Sequence, residues 1–324
     1  MYSRIAGTGS YLPELIVTNG DLEKRMDTTD EWIRSRTGIE RRHIAAEGQT
    51  TVDLAEVAAR RAIEAAGVTP AEIDFIVFGT TTPDLVFPNC GTLLQARLGA
   101  RGCPAFSVET ACSGFIYALS IADKFVKAGE AKCALVVGAE TLSRITNWSD
   151  RNTAVLFGDG AGAVVLKASA EPGIMSTHLH SDGAYKDLLY VDSGVSKGFN
   201  IDPTTNKVDI GIKMAGSEVF KVAVTKLGGA VDEALAHNGL EKSAVNWLIP
   251  HQANIRIIGA MAKRLDLPME RVIVTVQDHG NTSTASVPLA LDTGVRDGRV
   301  KRGDLLLLEA FGGGFTWGSA LVRF

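Results

Sequence analysis

Apolar positions along this chain follow two spacings, and the two recur in the same order at two places. Residues 59–80 read ARRAIEAAGVTPAEIDFIVFGT and residues 231–252 read VDEALAHNGLEKSAVNWLIPHQ. In each, apolar residues at helical spacing lead to a glycine, a short polar turn follows, and an unbroken apolar run reads as a strand. The segments align without a gap: Ala62 falls on Ala234, Ile63 on Leu235, Gly67 on Gly239, Val68 on Leu240, and residues 73–77 on 245–249. The same offset carries Thr110 onto Thr282, Ala118 and Leu119 onto Ala290 and Leu291, and residues 134–136 onto 306–308. A repeat this long is a domain duplication rather than a solenoid. It predicts two α/β halves, residues 1–170 and 171–324, with helices packed on mostly parallel sheets. Apolar runs such as 75–78 and 305–308 suit strands covered on both faces.

Each half closes on a glycine-rich turn, at 157–162 and at 311–318, that leads into a strand. The first could pass for a nucleotide loop, but it precedes a strand instead of a helix, so tight turns and close backbone approach explain the glycines better. Residues 182–213 are polar and irregular and read as an excursion within the second half.

Composition narrows the function. Over 324 residues the net charge is -4, with no basic tail, which argues against a nucleic-acid partner. Cys90, Cys103, Cys112 and Cys133 show no C-x-x-C spacing and no accompanying cluster of histidines, which argues against a zinc site and a redox pair and fits a reducing cytoplasm. No apolar stretch reaches the roughly 18 residues of a membrane span, and the N-terminus has no signal-peptide pattern, so the chain reads as neither exported nor anchored.

Candidate chemistry centres on Cys112. It lies where the strand-like run 105–108 turns into an apolar helix, a position where unpaired N–H groups favour a thiolate. Most cysteines are inert core thiols. Cys112 differs in having small neighbours, Ala111, Ser113 and Gly114, which leave room for a substrate carbonyl. His251 follows an apolar strand, where open α/β sheets place ligands, although a histidine beside proline also serves as a turn partner. Asn281, between Gly280 and Thr282, has the bland alternative of a helix cap. The duplication weights all three toward function, since it puts residues 109–112 and 281–284 on corresponding turns and His251 at the end of the strand equivalent to 75–78. A thiolate exchanges one thioester for another at little net cost. Two neutral donors, His251 and Asn281, could stabilise the enolate left when a malonyl thioester loses carbon dioxide. A Cys/His/Asn hydrolase would need to position water, of which the sequence gives no sign, and a carrier-binding scaffold would have no use for the trio.

With these residues the chain resembles bacterial β-ketoacyl-acyl-carrier-protein synthase III, of the thiolase-fold condensing enzymes. The resemblance runs from Gly7 to the C-terminus and is carried by residues 30–33, 36–39, the Cys112 turn, 157–162, 250–254, 280–283 and 309–318. It implies a layered αβαβα fold and the first condensation of type II fatty-acid synthesis: an acyl-CoA primer, acetyl-CoA first, acylates Cys112, and malonyl-acyl-carrier protein extends it. Acyl-CoA is then a substrate and no cofactor or metal is required. The resemblance places the backbone N–H groups of Cys112 and Gly313 in an oxyanion hole. It sets Thr28, Trp32, Arg36, Arg151, Gly216 and Asn254 along CoA, with Trp32 and Arg151 holding the adenine. It assigns Phe87, Leu142, Phe157, Phe220 and Phe311 to the acyl pocket, Phe87 reaching across a homodimer into the partner's pocket. Gln252, Ala253, Asn254, Ile255, Arg256, Lys221, Lys263 and Arg264 would receive the acidic carrier protein. Asn152, Trp148, Ile145 and a longer segment over 191–208 depart from the family pattern and leave the primer open. A relative that primes a secondary metabolite with a longer, branched or aryl acyl-CoA is the alternative.

Overall fold

The computed structural model describes residues 1–201 and 208–324. The first half runs β1 (Tyr2–Tyr11), α1 (Asp30–Thr37), α2 (Thr51–Ala65), β2 (Phe75–Gly79), α3 (Cys90–Leu98), β3 (Ala105–Val108), α4 (Gly114–Ala128), β4 (Cys133–Glu140) and β5 (Gly160–Ser169). The second runs β6 (Ile174–Ser181), α5 (Gly216–His237), β7 (Trp247–Pro250), α6 (Ile255–Arg264), α7 (Ser286–Arg296), β8 (Leu305–Gly312) and β9 (Thr316–Arg323). The offset that carries Cys133 onto Leu305 also carries Glu140 onto Gly312 and Gly114 onto Ser286, so β4 matches β8 end to end and α4 and α7 start at equivalent residues. The helix-closing glycines match in conformation, with φ of 63° at Gly67 and 61° at Gly239. That left-handed region costs glycine nothing.

The sheets have orders β1-β5-β4-β2-β3 and β6-β9-β8-β7. The second repeats the first without a counterpart of β3, an edge strand whose residues are only half-buried. The expectation of mostly parallel sheets is corrected. β2 pairs in parallel with β4 and β3, and β7 with β8, but β5 lies antiparallel to β1 and β4, and β9 to β8 and β6. The reason is local in β8 and β9: the Gly-rich turn at 313–315 returns the chain directly, which only an antiparallel pair permits, whereas parallel neighbours need a long crossover.

Five layers result. α2 and α3 cover the outer face of the first sheet, α4 and α7 fill the space between the sheets, and α5 and α6 cover the outer face of the second. α2 is started by a reciprocal cap: Asp53 N–H donates to Thr50 Oγ1 (3.3 Å) and Thr50 N–H donates to the Asp53 carboxylate (2.6 Å). It lies almost on the backbone of β1, because a Cβ at Gly9 would come within 2.3 Å of the Ala58 carbonyl oxygen. Between the sheets Phe115, Leu119, Val136, Leu291 and Leu308 are fully buried, each contributing on the order of 1.5–3 kcal/mol through loss of apolar surface to water.

The excursion in the second half is less irregular than its composition predicts. Strands Leu189–Val191 and Ile212–Met214 pair antiparallel, and Leu189, Val191 and Ile212 pack on Leu142 and Phe157. Of the longer segment at 191–208, residues 202–207 lie outside the described residues. All four cysteines are free. Among the described residues no helix is long and apolar enough to cross a membrane.

Candidate active site

Two matching turns meet at the centre of the molecule. One, Ala111–Ser113, carries Cys112 between β3 and α4; the other, Ser283–Ala285, lies two residues after Asn281 and leads into α7. Their first residues share a left-handed backbone, with φ of 46° at Ala111 and 48° at Ser283. That conformation is strained for a residue with a Cβ and is held here by packing on both sides. Thr284 occupies the position of Cys112 in the second turn. Its Oγ1 lies 2.8 Å from the Ala111 carbonyl oxygen and 2.7 Å from a carboxyl oxygen of Glu140. Glycines 79, 114 and 138 close around its side chain.

Asn281 Oδ1 accepts the Ser283 N–H (2.9 Å), which fixes the amide and leaves its NH2 as the group available to a ligand. His251 is anchored by its N–H, donated to the Glu309 carbonyl (2.8 Å), and by Nδ1, 2.9 Å from Ser286 Oγ. Ser286 Oγ already accepts the Gln252 N–H (2.7 Å). With the Ser286 hydroxyl proton directed to Nδ1, the ring hydrogen lies on Nε2, the tautomer that gives the cavity an N–H donor. Burial lowers the His251 pKa to about 3, so the imidazole is neutral. Burial also pushes the Cys112 thiol up to about 12, against a smaller opposing contribution from a hydrogen bond with Ser283. The helix start is where the sequence placed it, but burial is the largest influence on the sulfur and favours the thiol over the thiolate.

Cys112 sits at the junction of two cavities. The first, of about 90 Å³, is walled by Cys112, His251 and Asn281 together with Phe157, Gly216, Phe220, Ala253, Asn254, Glu309 and Phe311. It shares Leu156, Met214, Gly216, Phe220 and Asn254 with an outer hollow that also holds Trp32, Arg36, Asn152, Lys221 and Arg256. There two guanidinium groups lie over the Trp32 ring, Arg36 at 5.0 Å and Arg151 at 5.1 Å from its centroid. The second cavity, more open at about 570 Å³, leaves Cys112 past Leu142, Ile145, Leu189, Val191, Ile212 and Gly313.

Phe87 is 83% exposed and lines neither cavity of its own chain, and several other residues fall elsewhere than the family resemblance implied. Phe220 and Phe311 flank the first cavity only, while Leu142 lines the second and Phe157 both. Gln252 is buried, its amide donating to the Pro250 and Ile273 carbonyls and accepting from Thr275 and Val276 N–H groups, so it cannot meet a docking protein. Thr28 lies outside the outer hollow. Ile255 packs beside Gly38, and Ala253 faces the first cavity. Arg256 lies over the Phe220 ring (5.1 Å), Lys263 is exposed, and Arg264 pairs with Asp232. Trp148 donates its Nε1–H to the Ser143 carbonyl (3.2 Å).

Gly312 makes the closest approach to the nucleophile: a Cβ there would stand 2.6 Å from Cys112 N, whereas one at Gly313 would meet Leu189. Sequence reasoning passed over Gly312, Ser286, Glu140 and Glu309. Glu309 did carry a signal, as a lone acid in the apolar run 305–311.

Comparison with known proteins places the chain among relatives. Residues 106–183 match the family described as 3-oxoacyl-[acyl-carrier-protein (ACP)] synthase III, and residues 235–324 match that family's C-terminal region. The chain is 66% identical, over its whole length and 99% of the relative, to a β-ketoacyl-[acyl-carrier-protein] synthase III of Xanthomonas campestris pv. campestris. It is 62% identical to the protein of that name from Thioalkalivibrio sulfidiphilus, at 100% and 99% coverage. Among solved structures, 3-oxoacyl-[acyl-carrier-protein] synthase III from Aquifex aeolicus VF5 superposes with a TM-score of 0.92 at 47% identity, covering 99% of this chain and 100% of that one. The priming β-ketosynthase of the R1128 polyketide pathway superposes with a TM-score of 0.93 at 40% identity, covering 99% and 96%.

Proposed function

Since the chain belongs to the β-ketoacyl-acyl-carrier-protein synthase III family of condensing acyltransferases in fatty-acid synthesis, we propose that it joins an acyl-CoA primer to malonyl-acyl-carrier protein through an acyl-Cys112 intermediate. The observation that carries this reading is the position of Cys112 between two cavities, one leading out to the Trp32 hollow and one with an aliphatic wall at Leu142, Ile145, Leu189, Val191 and Ile212 and polar residues such as Glu109 and Lys186 elsewhere in its lining. A thioester arm enters by the first and its acyl group is left in the second. In the first half-reaction the Cys112 sulfur attacks the primer carbonyl, the bond to the CoA sulfur breaks, and the thiol proton leaves with CoA. Trp32 and Arg151 hold the adenine once the Arg151 guanidinium, 5.1 Å from the ring centroid, swings aside to admit it; Arg36 meets the nucleotide portion, and the arm passes Gly216 and Asn254. In the second, the malonyl thioester carbonyl accepts hydrogen bonds from His251 Nε2–H and the Asn281 NH2. Neutral donors suffice, because loss of carbon dioxide generates the carbanion and no base is needed. The enolate then attacks the acyl carbon on Cys112.

Acetyl-CoA is the primer of the first reading. The second cavity favours the alternative, a longer or branched primer, because its walls at Leu142, Ile145, Leu189, Val191 and Ile212 offer apolar surface that an acetyl group does not cover. Lys221, Arg256 and Lys263 form the docking face for an acidic carrier protein, and exposed Phe87 belongs to a homodimer contact; the enzyme works in the cytoplasm. The test is a panel of acyl-CoA thioesters from two to ten carbons, scored by mass gain at Cys112 and by product with malonyl-acyl-carrier protein. Mass gain at Cys112 without any condensation product, or release of free acid, would sink the reading in favour of a hydrolase.

A further inference from the structure

Glu309 is buried in the wall of the first cavity with both carboxyl oxygens fully enclosed and without a hydrogen-bond partner. Buried polar groups are almost always paired, so an orphan facing a cavity is placed for something that enters it. Strand alternation turns it to the same face as Leu305, Leu307 and Phe311, toward α5. Its position is tied to the catalytic trio, because Glu309 pairs with Pro250 across β7 and β8 and its carbonyl accepts the His251 N–H.

The condensation needs a proton that none of the trio supplies. When the enolate carbon bonds to the acyl carbon and the C–S bond breaks, the electron pair goes to the Cys112 sulfur, which rests as a thiol and must be protonated. Asn281 is not an acid, and His251 is already neutral. We propose that Glu309 is the acid that protonates the Cys112 sulfur, by way of water in the cavity that both line, as the condensation product leaves, an inference that rests on the acyl-Cys112 reading above. The carboxylate formed takes a proton from water when the cavity reopens, so one proton is consumed for each carbon dioxide released.

The electrostatics agree with this assignment. Burial raises Glu309 to about 8, which keeps it protonated at neutral pH, and transfer to a sulfur whose thiol ionises near 12 runs downhill. Cys112 and His251 are the titratable side chains that share its cavity among the described residues; α5 and α6 present Gly216, Val219, Phe220, Ala223, Leu227 and Ile257 to it, all uncharged. Glu140 bears on Cys112 from the far side of its turn.

Glu309→Gln tests the proposal, since the amide keeps the volume and a hydrogen-bond donor but cannot give up a proton. Acyl-enzyme is prepared with wild type and variant, then mixed with malonyl-acyl-carrier protein under single-turnover conditions from pH 6 to 9. Wild type is expected to lose its condensation rate as pH rises through about 8. E309Q is expected to form acyl-Cys112 yet to condense on the order of 10²–10³-fold more slowly, with that alkaline limb gone. Equal condensation rates and equal pH profiles would overturn the proposal. If E309Q does not fold, a wild-type rate that stays flat to pH 9 overturns it instead, and a loss through pH 8 supports it. A wild-type chain that gains no acyl mass at all overturns the acyl-Cys112 reading, and this inference with it.

Discussion

His251 and Asn281 are each held in one orientation by contacts within their own half of the molecule. His251 is neutral because it is buried, and its ring hydrogen is directed by Ser286. Asn281 is oriented by the backbone of Ser283. Both are donors, so removing either should affect the step in which an enolate forms and leave acyl acceptance in place. H251A and N281A are expected to gain acyl mass from acyl-CoA while losing malonyl decarboxylation by about 10²–10³-fold, the usual loss for a missing oxyanion donor. C112A should lose both. A normal decarboxylation rate in N281A, read as carbon dioxide release, would contradict this division of labour. The trio was legible in the sequence because each residue stands in a distinctive local setting. Ser286 and Glu309 were not assigned: the lone acid in an apolar run marks Glu309 as unusual, but the role of each depends on contacts with His251 across the sheet and helix layers, which local spacing does not carry.

At the scale of elements, the glycine turn between β8 and β9 sets the geometry around Cys112. A methyl group at Gly312 would meet backbone atoms, Cys112 N at 2.6 Å and Ser113 N at 3.0 Å, which cannot swing aside as a side chain can. G312A should therefore displace the nucleophile turn, cutting condensation by at least 100-fold and lowering stability by roughly 1–3 kcal/mol. Thermal melting together with acylation kinetics would check it; wild-type values in both would show that the turn has slack. The duplicated elements were readable from sequence because each appears twice, as the runs 134–136 and 306–308 lie within the matching strands 133–140 and 305–312. Strand direction was not readable. It depends on which strands become neighbours, and the apolar runs of β4 and β5 look the same whichever way they pair.

Over the whole molecule, buried titratable groups shape the response to pH, and His251, His279 and Glu309 are among them. His251 and His279, lowered by burial to about 3 and about 4, stay neutral when folded but bind protons when unfolded. Their contribution to stability is present above about pH 6.5 and is lost as pH falls toward 4 and 3. Glu309 has the opposite sign. Its raised pKa means that the folded state holds its proton more tightly, so its contribution is present below about 4.5 and is lost as pH rises through about 8. Thermal midpoints between pH 4 and 9 should fall on the acid side in wild type, and E309Q should melt higher than wild type at pH 9. Coincident alkaline curves would show that Glu309 does not ionise in the folded state.

Thr284 gives the pairing of the two turns a further consequence. The molecule has twofold architecture but only one reactive turn, since the residue that matches Cys112 is locked onto Ala111 and Glu140 and enclosed by glycines 79, 114 and 138. The second turn is a mute copy, kept as a strut for its twin. A thiol installed there would inherit the strut's confinement and not the nucleophile's access. A chain carrying both Cys112→Ala and Thr284→Cys should accordingly take up no acyl mass, although it has a cysteine at the equivalent position of the same fold.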